Sequence, residues 1–543
     1  MNTTHDFGEL RSLLERRPSA AAFDLVIQHL DAAAEEDLGR TRAEWLPHVE
    51  GRLERWPDAT RLCPKHRLEE YEAGERVWCE LVRAANYEGV SLSKKRMQAL
   101  LDGPAFPKLT ALDLRSANLK WDQLATLASE APCRLRAFGF RRVSKLDMDT
   151  IDALFASEML STVESLTFRG WDKIKPDVYT HLAEHFPLEQ LRELDLTGGA
   201  VTSRSFKALL ETDAVDGLEV LRAGAWVSDK SSPGLLALIA KRPAMRSLRV
   251  LHLNEVKPKE FAALADAEHL TSLRELRVDY TLEIAGTLAL LECPHLAGVE
   301  DLRLNMKRED RDVFMRALAV SPILEGLHSL HLSWYGEEPV GEERGEPLVA
   351  LLSADAASSL RRLSICADSS GALNALVACS GDLSGLRELM LTSVDGMPQR
   401  VVESAASLFS GDHFPELETF TLGSNSLMHA LMKELCGSEL LVRLESFRPI
   451  ECGEEDLVGL LGEEPLPNLK TLDLRGLTGW SHRGLIPALA GLDTLTGLES
   501  LIMNEGYLVE QVQAVLAEGA HALPDRLAVS CPEYAMFQAF DWF

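Results

Sequence analysis

Residues 327–338 read LHSLHLSWYGEE. Leucine takes the first, fourth and sixth places, polar residues fill the gaps, and Trp334 and Tyr335 follow side by side. An apolar/polar alternation of period two marks a strand, because successive side chains leave a strand on opposite faces. The same LxxLxL pattern recurs as LTALDL from Leu109, LRELDL from Leu191, LRVLHL from Leu248, LRELML from Leu386 and LKTLDL from Leu469. Weaker copies begin at Leu135, Val163, Leu218, Leu273, Val299, Leu360, Leu417, Leu444 and Leu498. Together they make fifteen units between residues 109 and 498, with a mean spacing of about 28 residues, a period that signals a repeat architecture.

Each unit has a second half of different periodicity. In SRSFKALLETDAVDGL and DRDVFMRALAVSPILEGL, apolar residues stand three and four apart, which predicts a helix with one buried stripe. A single strand and helix cannot bury their apolar faces alone, so successive units must stack into a continuous core. The predicted fold is an α/β solenoid with a parallel sheet on one face and helices outside.

On these LxxLxL units the chain resembles the ribonuclease-inhibitor-type leucine-rich repeat family in its long, helix-bearing form. The resemblance covers roughly residues 105–530 and implies a horseshoe with a parallel concave sheet and outer helices. The family pattern continues to an Asn or Cys at the ninth position, which here fits only Asn425 and Cys452. Elsewhere that position holds residues such as Val143, Trp171, Trp226, Val256 and Tyr335, so this turn is often apolar. The pattern therefore predicts Tyr335, ninth from Leu327, to pack inward. Trp334, eighth, is expected to be presented beside Tyr280 and Met306.

Residues 1–105 carry no LxxLxL copy and are expected to form an α-helical capping or docking domain. Its segments FGELRSLLERR, AAAFDLVIQHLDAAA, RAEWLPHVEGRLERW and GERVWCELVRAAN all look amphipathic and are broken by Pro18, Pro57 and Pro64. The solenoid is expected over residues 106–526, and the aromatic-rich end, CPEYAMFQAFDWF, is expected within a cap over residues 527–543.

The formal charge of −28 excludes the basic footprint that phosphate backbones require, so no nucleic-acid partner is expected. The acidity is uneven. Residues 1–100 hold 15 basic against 18 acidic residues, whereas the rest hold 41 against 66. No apolar run of about 18 residues is present to span a bilayer, and no secretory signal is apparent, so no membrane association and a cytoplasmic location are expected. The nine cysteines are scattered without a CxxC pair, which suits reduced, packed thiols. The excess of Arg over Lys and the many alanines suggest a bacterial source.

No P-loop, dinucleotide fingerprint or nucleophile elbow is present. His181, Glu184 and His185 match H-x-x-E-H, but they fall in the slot of a repeat helix and lack a convincing third ligand. His252 and His331 hold equivalent strand positions three steps apart, about 14 Å at the usual strand spacing, too far to share one ion. The acidic insertion YGEEPVGEERGEP, residues 335–347, lacks the ligand spacing of a calcium loop. No catalytic residues, metal or cofactor are expected.

The third, fifth, seventh and eighth positions of each unit should project from the sheet face. In the middle units these supply His252, Asn254, Glu255, Glu275, Arg277, Asp279, Tyr280, Asp301, Arg303, Asn305, Met306, His331, Ser333 and Trp334. A mixture of aromatics, Arg, Asn and His suits protein recognition. The expected partner-binding set is His252, Asn254, Arg277, Asp279, Tyr280, Arg303, Asn305, Met306, His331 and Trp334. Later units offer only small residues such as Thr419, Thr421, Gly423 and Ser446. The expected function is a non-enzymatic protein-interaction scaffold. The alternative is an inhibitor or immunity-like protein against a basic protein such as a nuclease, with an enzyme or enzyme activator a more remote reading.

Overall fold

The computed structural model describes residues 7–16, 18–87, 89–114, 119–141, 148–169, 190–197, 201–212, 215–223, 226–227, 235–253, 261–282, 284–335, 346–366, 369–392, 408–409, 413–423, 433–436, 438–450, 454–475, 485–503 and 527–530. The chain divides into two compact units, Met1–Pro233 with Glu533–Phe543, and Gly234–Pro532.

In the first unit six strands pair in parallel and in chain order. They are β1 (Ala84–Asn86), β2 (Ala111–Leu114), β3 (Ala137–Arg141), β4 (Ser165–Arg169), β5 (Glu193–Leu196) and β6 (Val220–Ala223). The second unit continues the rule with eleven parallel strands. These are β7 (Val250–Leu253), β8 (Glu275–Leu282), β9 (Asp301–Lys307), β10 (Ser329–Tyr335), β11 (Arg362–Cys366), β12 (Glu388–Thr392), β13 (Thr419–Gly423), β14 (Ser446–Ile450), β15 (Thr471–Asp473), β16 (Ser500–Ile502) and β17 (Ala528–Ser530). Every one of the fifteen LxxLxL copies begins its strand at the third position, and helices such as Trp121–Glu130, Ile284–Leu291 and Arg311–Leu318 lie between strands. The fold is an α/β solenoid of leucine-rich-repeat type.

The register explains why the leucines recur. In β8 to β11 the fourth-position residues Leu276, Leu302, Leu330 and Leu363 are partners across the sheet, and all are buried. The helices contribute matching stripes, as in Phe314, Met315 and Leu318 of Arg311–Leu318. Burying each such side chain stabilises the stack by about 1.5–3 kcal/mol relative to leaving it in water.

One backbone device repeats at almost every step. The carbonyl of the second-position residue accepts two N–H groups from the next unit. Arg274 O takes Glu300 N at 2.7 Å and Asp301 N at 2.9 Å, and Glu300 O takes His328 N at 2.8 Å and Ser329 N at 2.9 Å. The units approach so closely that a Cβ on Gly326 would stand 2.5 Å from the Ala297 carbonyl oxygen, and one on Gly497 would stand 2.7 Å from that of Pro467.

Three of the four helical segments expected at the N-terminus form Phe7–Leu14, Ala20–Arg40 and Leu46–Leu53, the last two joined by a π-turn at Thr41–Trp45. The fourth, GERVWCELVRAAN, is not an α-helix. It forms a short 3₁₀ turn at Val77–Leu81 and then β1, whose Ala84, Ala85 and Asn86 pair with Ala111, Leu112 and Asp113. Val82, Ala85 and Tyr87 stand where later units carry leucine, and all three are fully buried. The sheet therefore starts one unit before the first recognisable LxxLxL.

Candidate protein-binding surface

Strands β8, β9 and β10 run for eight, seven and seven residues. Their odd-numbered repeat positions face away from the helices and form rows across the sheet. In the third-position row stand Val250, Glu275, Asp301, Ser329 and Arg362, and in the fifth-position row His252, Arg277, Arg303, His331 and Ser364.

These rows interlock through charge. Glu275 Oε1 meets His252 Nε2 at 2.5 Å on one side and Arg277 Nε at 2.6 Å on its own strand. Arg277 reaches on to Asp301 at 3.9 Å, and Asp301 is also 3.6 Å from Arg362. Arg303 Nε contacts Asp279 Oδ1 at 3.2 Å, and Asn305 Nδ2 donates to the Asp279 carbonyl at 3.5 Å. Three acids and three guanidinium groups thus alternate over strands β8, β9 and β11. The patch is locally neutral despite the charge of −28 on the whole chain.

Burial modifies these groups. It raises the Asp301 carboxyl above its usual range against the opposing pull of Arg277. It lowers the Arg303 guanidinium, which Asp279 opposes. His331 is pulled down to about 3 by burial, then by the nearby Arg303 and Arg277. It is therefore a neutral imidazole at physiological pH. Its Nε2 lies 3.9 Å from Cys366 Sγ, which is 3.7 Å from Ser364 Oγ.

Of the ten residues expected to bind a partner, the structure brings His252, Arg277, Asp279, Arg303, Asn305 and His331 together on this face. Asn254 lies outside the described residues, as do Glu255, the H-x-x-E-H segment, the acidic insertion at 336–345, the aromatic tail, and Val143, Trp171, Val256, Asn425 and Cys452 of the ninth-position set. The strands of Tyr280, Trp226 and Tyr335 are described, but not their side chains. Met306 and Trp334 are a correction. They are only 2% and 3% exposed, and the Arg311 guanidinium lies over the Trp334 ring at 5.8 Å.

Strand length is the reason. The pattern in β9 alternates without a break from Asp301 to Lys307, half-buried at odd places and buried at Leu302, Leu304 and Met306. Met306 and Trp334 are register partners, so both continue the inward row. The eighth position would face outward only if the strand ended before it.

Two features of the sheet were not expected. Arg448, on β14, lies 3.6 Å from Asp473 on β15, which Arg475 also grips at 2.9 and 2.6 Å. The stretch after β12 is thus less plain than its threonines and serines suggest, and the fifth position of the unit at Leu444 carried the signal. In the first unit a groove of about 290 Å³ runs between Asp58, Ala59 and the third-position residues Ala111, Ala137 and Val220. Its rim pairs Arg136 with Glu164 at 3.0 Å and Arg192 with Glu219. The small third-position residues of β2 and β3 were its trace in the sequence.

Among the described residues no group of three or more His, Cys, Asp or Glu side chains is placed to hold a metal ion, and no helix is long and apolar enough to cross a membrane. No family model matches the chain, and no curated protein matches it. Among solved structures it is similar to a chain of the Rad7–Elc1 complex from yeast, at 16% identity and a TM-score of 0.40, covering 72% of this chain and 89% of that one. It is also similar to an internalin, InlF, of Listeria monocytogenes, at 14% identity and a TM-score of 0.26, covering 68% and 87%. Likenesses this distant carry no weight in the functional reading.

Proposed function

We propose that this chain is a protein-interaction scaffold of ribonuclease-inhibitor-type leucine-rich-repeat build, which grips a partner protein or peptide on the sheet face from β7 to β11. The observation behind this reading is the interlocked set of His252, Glu275, Arg277, Asp279, Asp301, Arg303 and Arg362. Ion pairs of this kind fix long side chains in one geometry before a partner arrives, which reduces the ordering cost of binding. The exposed edges of Asp279, Asn305 and Ser333 then offer a polar rim, while the wide open face suits a macromolecule better than a small ligand.

A second reading, an inhibitor of a basic protein, draws on the charge of −28. That charge would act at long range by steering, since the patch itself is balanced. A steered association slows as salt rises, because exposed charges are screened beyond roughly 8 Å at physiological ionic strength. A salt-independent on-rate removes this reading and leaves the scaffold.

The scaffold is tested with a photo-crosslinking residue at Ser333, on the open face, and at Val313, which is 51% exposed on an outer helix. Irradiation in native lysate should give discrete protein adducts from Ser333 and not from Val313. Adducts from Val313 alone would place recognition on the helical side.

A further inference from the structure

The third-position row of the sheet changes character along the chain. In β8, β9 and β11 it carries Glu275, Asp301 and Arg362, whereas in β2 and β3 it carries Ala111 and Ala137, which are buried and too short to fill the space above them. That space is the groove of about 290 Å³ in the first unit. From Ala111 through Ala137, Ser165 and Glu193 to Val220 the row crosses four strand steps, roughly 19 Å at the usual spacing, which an extended chain covers in about six residues.

The lining is acidic where it is deep. Glu164, Glu193 and Glu219 are half-buried, while Arg136 and Arg192, which pair with Glu164 and Glu219, are exposed. Exposed ion pairs contribute little, so these two arginines can swing outward while the carboxylates stay. Glu193 is held by Arg222 and by the Ser165 hydroxyl, which donates to it at 2.8 Å. Asp58 differs from all three: among the described residues its carboxylate makes no hydrogen bond and no salt bridge. Arg61 and Arg136 feel its charge, but Glu50 holds the first at 3.0 Å and Glu164 the second. The turn Asp58–Thr60 is itself fixed, because Pro57 precedes it and the Arg61 carbonyl after it accepts Arg83 N at 3.0 Å and Ala84 N at 3.2 Å. The groove thus combines a small apolar floor with one surplus carboxylate, in a chain whose charge of −28 draws cations toward it.

We propose that this groove holds an extended segment of a partner protein, about six residues long, which places one lysine or arginine against Asp58 and small side chains over Ala111 and Ala137. An extended backbone presents carbonyls and N–H groups in alternation. The groove meets them with guanidinium donors on Arg136 and Arg192 and carboxylate acceptors on Glu164 and Glu219, whereas a free cation would use only the acids. The site lies on the first unit and uses no residue of the β7 to β11 face, so it stands whether or not that face binds.

Two fluorescein-labelled hexapeptides test this on the full-length protein by fluorescence anisotropy at low salt, one with a single arginine among alanines and its twin with glutamine in place of that arginine. The arginine peptide should bind about 10-fold more tightly than its twin, as expected for one charge-assisted contact. Asp58→Asn, on a surface turn and melting as the parent does, should bring the two affinities within about 2-fold. Ala137→Leu, which fills the floor, should weaken both peptides. Equal affinities for the two peptides in the parent overturn the proposal. So does a preference that survives Asp58→Asn, because binding then follows the general acidity of the chain. Free arginine amide that competes as well as the arginine peptide overturns the extended segment as the occupant. Because Ser333→Arg on the β10 face should leave peptide binding unchanged, a failure here leaves the scaffold reading standing.

Discussion

Strands β8 to β10 and strands β13 and β14 are built from the same repeat, yet they use it differently. The former run for seven or eight residues and place charged residues on the open face; β9 and β10 carry the alternation to the eighth position, while β8 shifts register between Val278 and Thr281. The latter, over the five residues described for each, place Thr419, Thr421 and Ser446 in the same rows, with Arg448 the charged exception. The difference teaches that the third and fifth positions, which the LxxLxL leucines leave open, set the character of each stretch of the face, whereas in β9 and β10 the run of the strand past that core sets the side taken by the eighth position. In those two strands the eighth position, Met306 and Trp334, joins the core, and the seventh, Asn305 and Ser333, stays half-buried on the open face.

The largest effect expected from this contrast is at Trp334. Trp334→Ala should destabilise the second unit by about 3–5 kcal/mol, the usual cost of removing a buried aromatic, measured by denaturant unfolding. A loss near zero would mean that the eighth position of β10 is not part of the core. Arg277→Ala should cost about 1–3 kcal/mol, because Glu275 and Asp301 then lose a partner while still partly desolvated. A cycle with Glu275→Ala should return a coupling of about 0.5 kcal/mol or more. Additive losses would dissolve the interlocked patch into separate pairs.

A smaller effect concerns acid. His331 has its affinity for protons lowered from 6.5 to about 3 by burial and by Arg303 and Arg277. The unfolded chain therefore binds the extra proton first, so this residue's contribution to stability is intact above pH 6.5 and falls as pH drops toward about 3. Asp301, raised by burial, works in the opposite sense near its own titration. His331→Gln should flatten the loss of stability over that window, and an unchanged pH profile would show that the imidazole does not titrate there. The smallest effect belongs to Thr419→Ala, half-buried on β13, which should shift stability by less than about 0.5 kcal/mol.

Much of the solenoid was legible because leucines at fixed spacing state both the strand and its register. All fifteen strands start where the pattern places them. β1 was missed because Val82, Ala85 and Tyr87 fill the leucine positions, so burial persists while the motif does not. The open face was legible in composition, with Arg277, Asp279, Arg303, Asn305 and His331 all brought to it. What the sequence did not state was strand length, so Met306 and Trp334 were assigned to the wrong side. Nor did spacing reveal that Glu275 and Asp301 would neutralise the arginines beside them, since that depends on side-chain reach across neighbouring strands.

The proposed binding face is tested most directly by one comparison in the seventh-position row. Ser333→Arg, on β10, and Thr392→Arg, on β12, add the same bulk and charge to half-buried positions of the same sheet, on either side of Cys366. The dissociation constant of the cross-linked partner should rise about 10-fold or more for Ser333→Arg and less than about 2-fold for Thr392→Arg, with both variants melting as the parent does. Equal affinities for the two variants and the parent would contradict a binding face centred on β8 to β10.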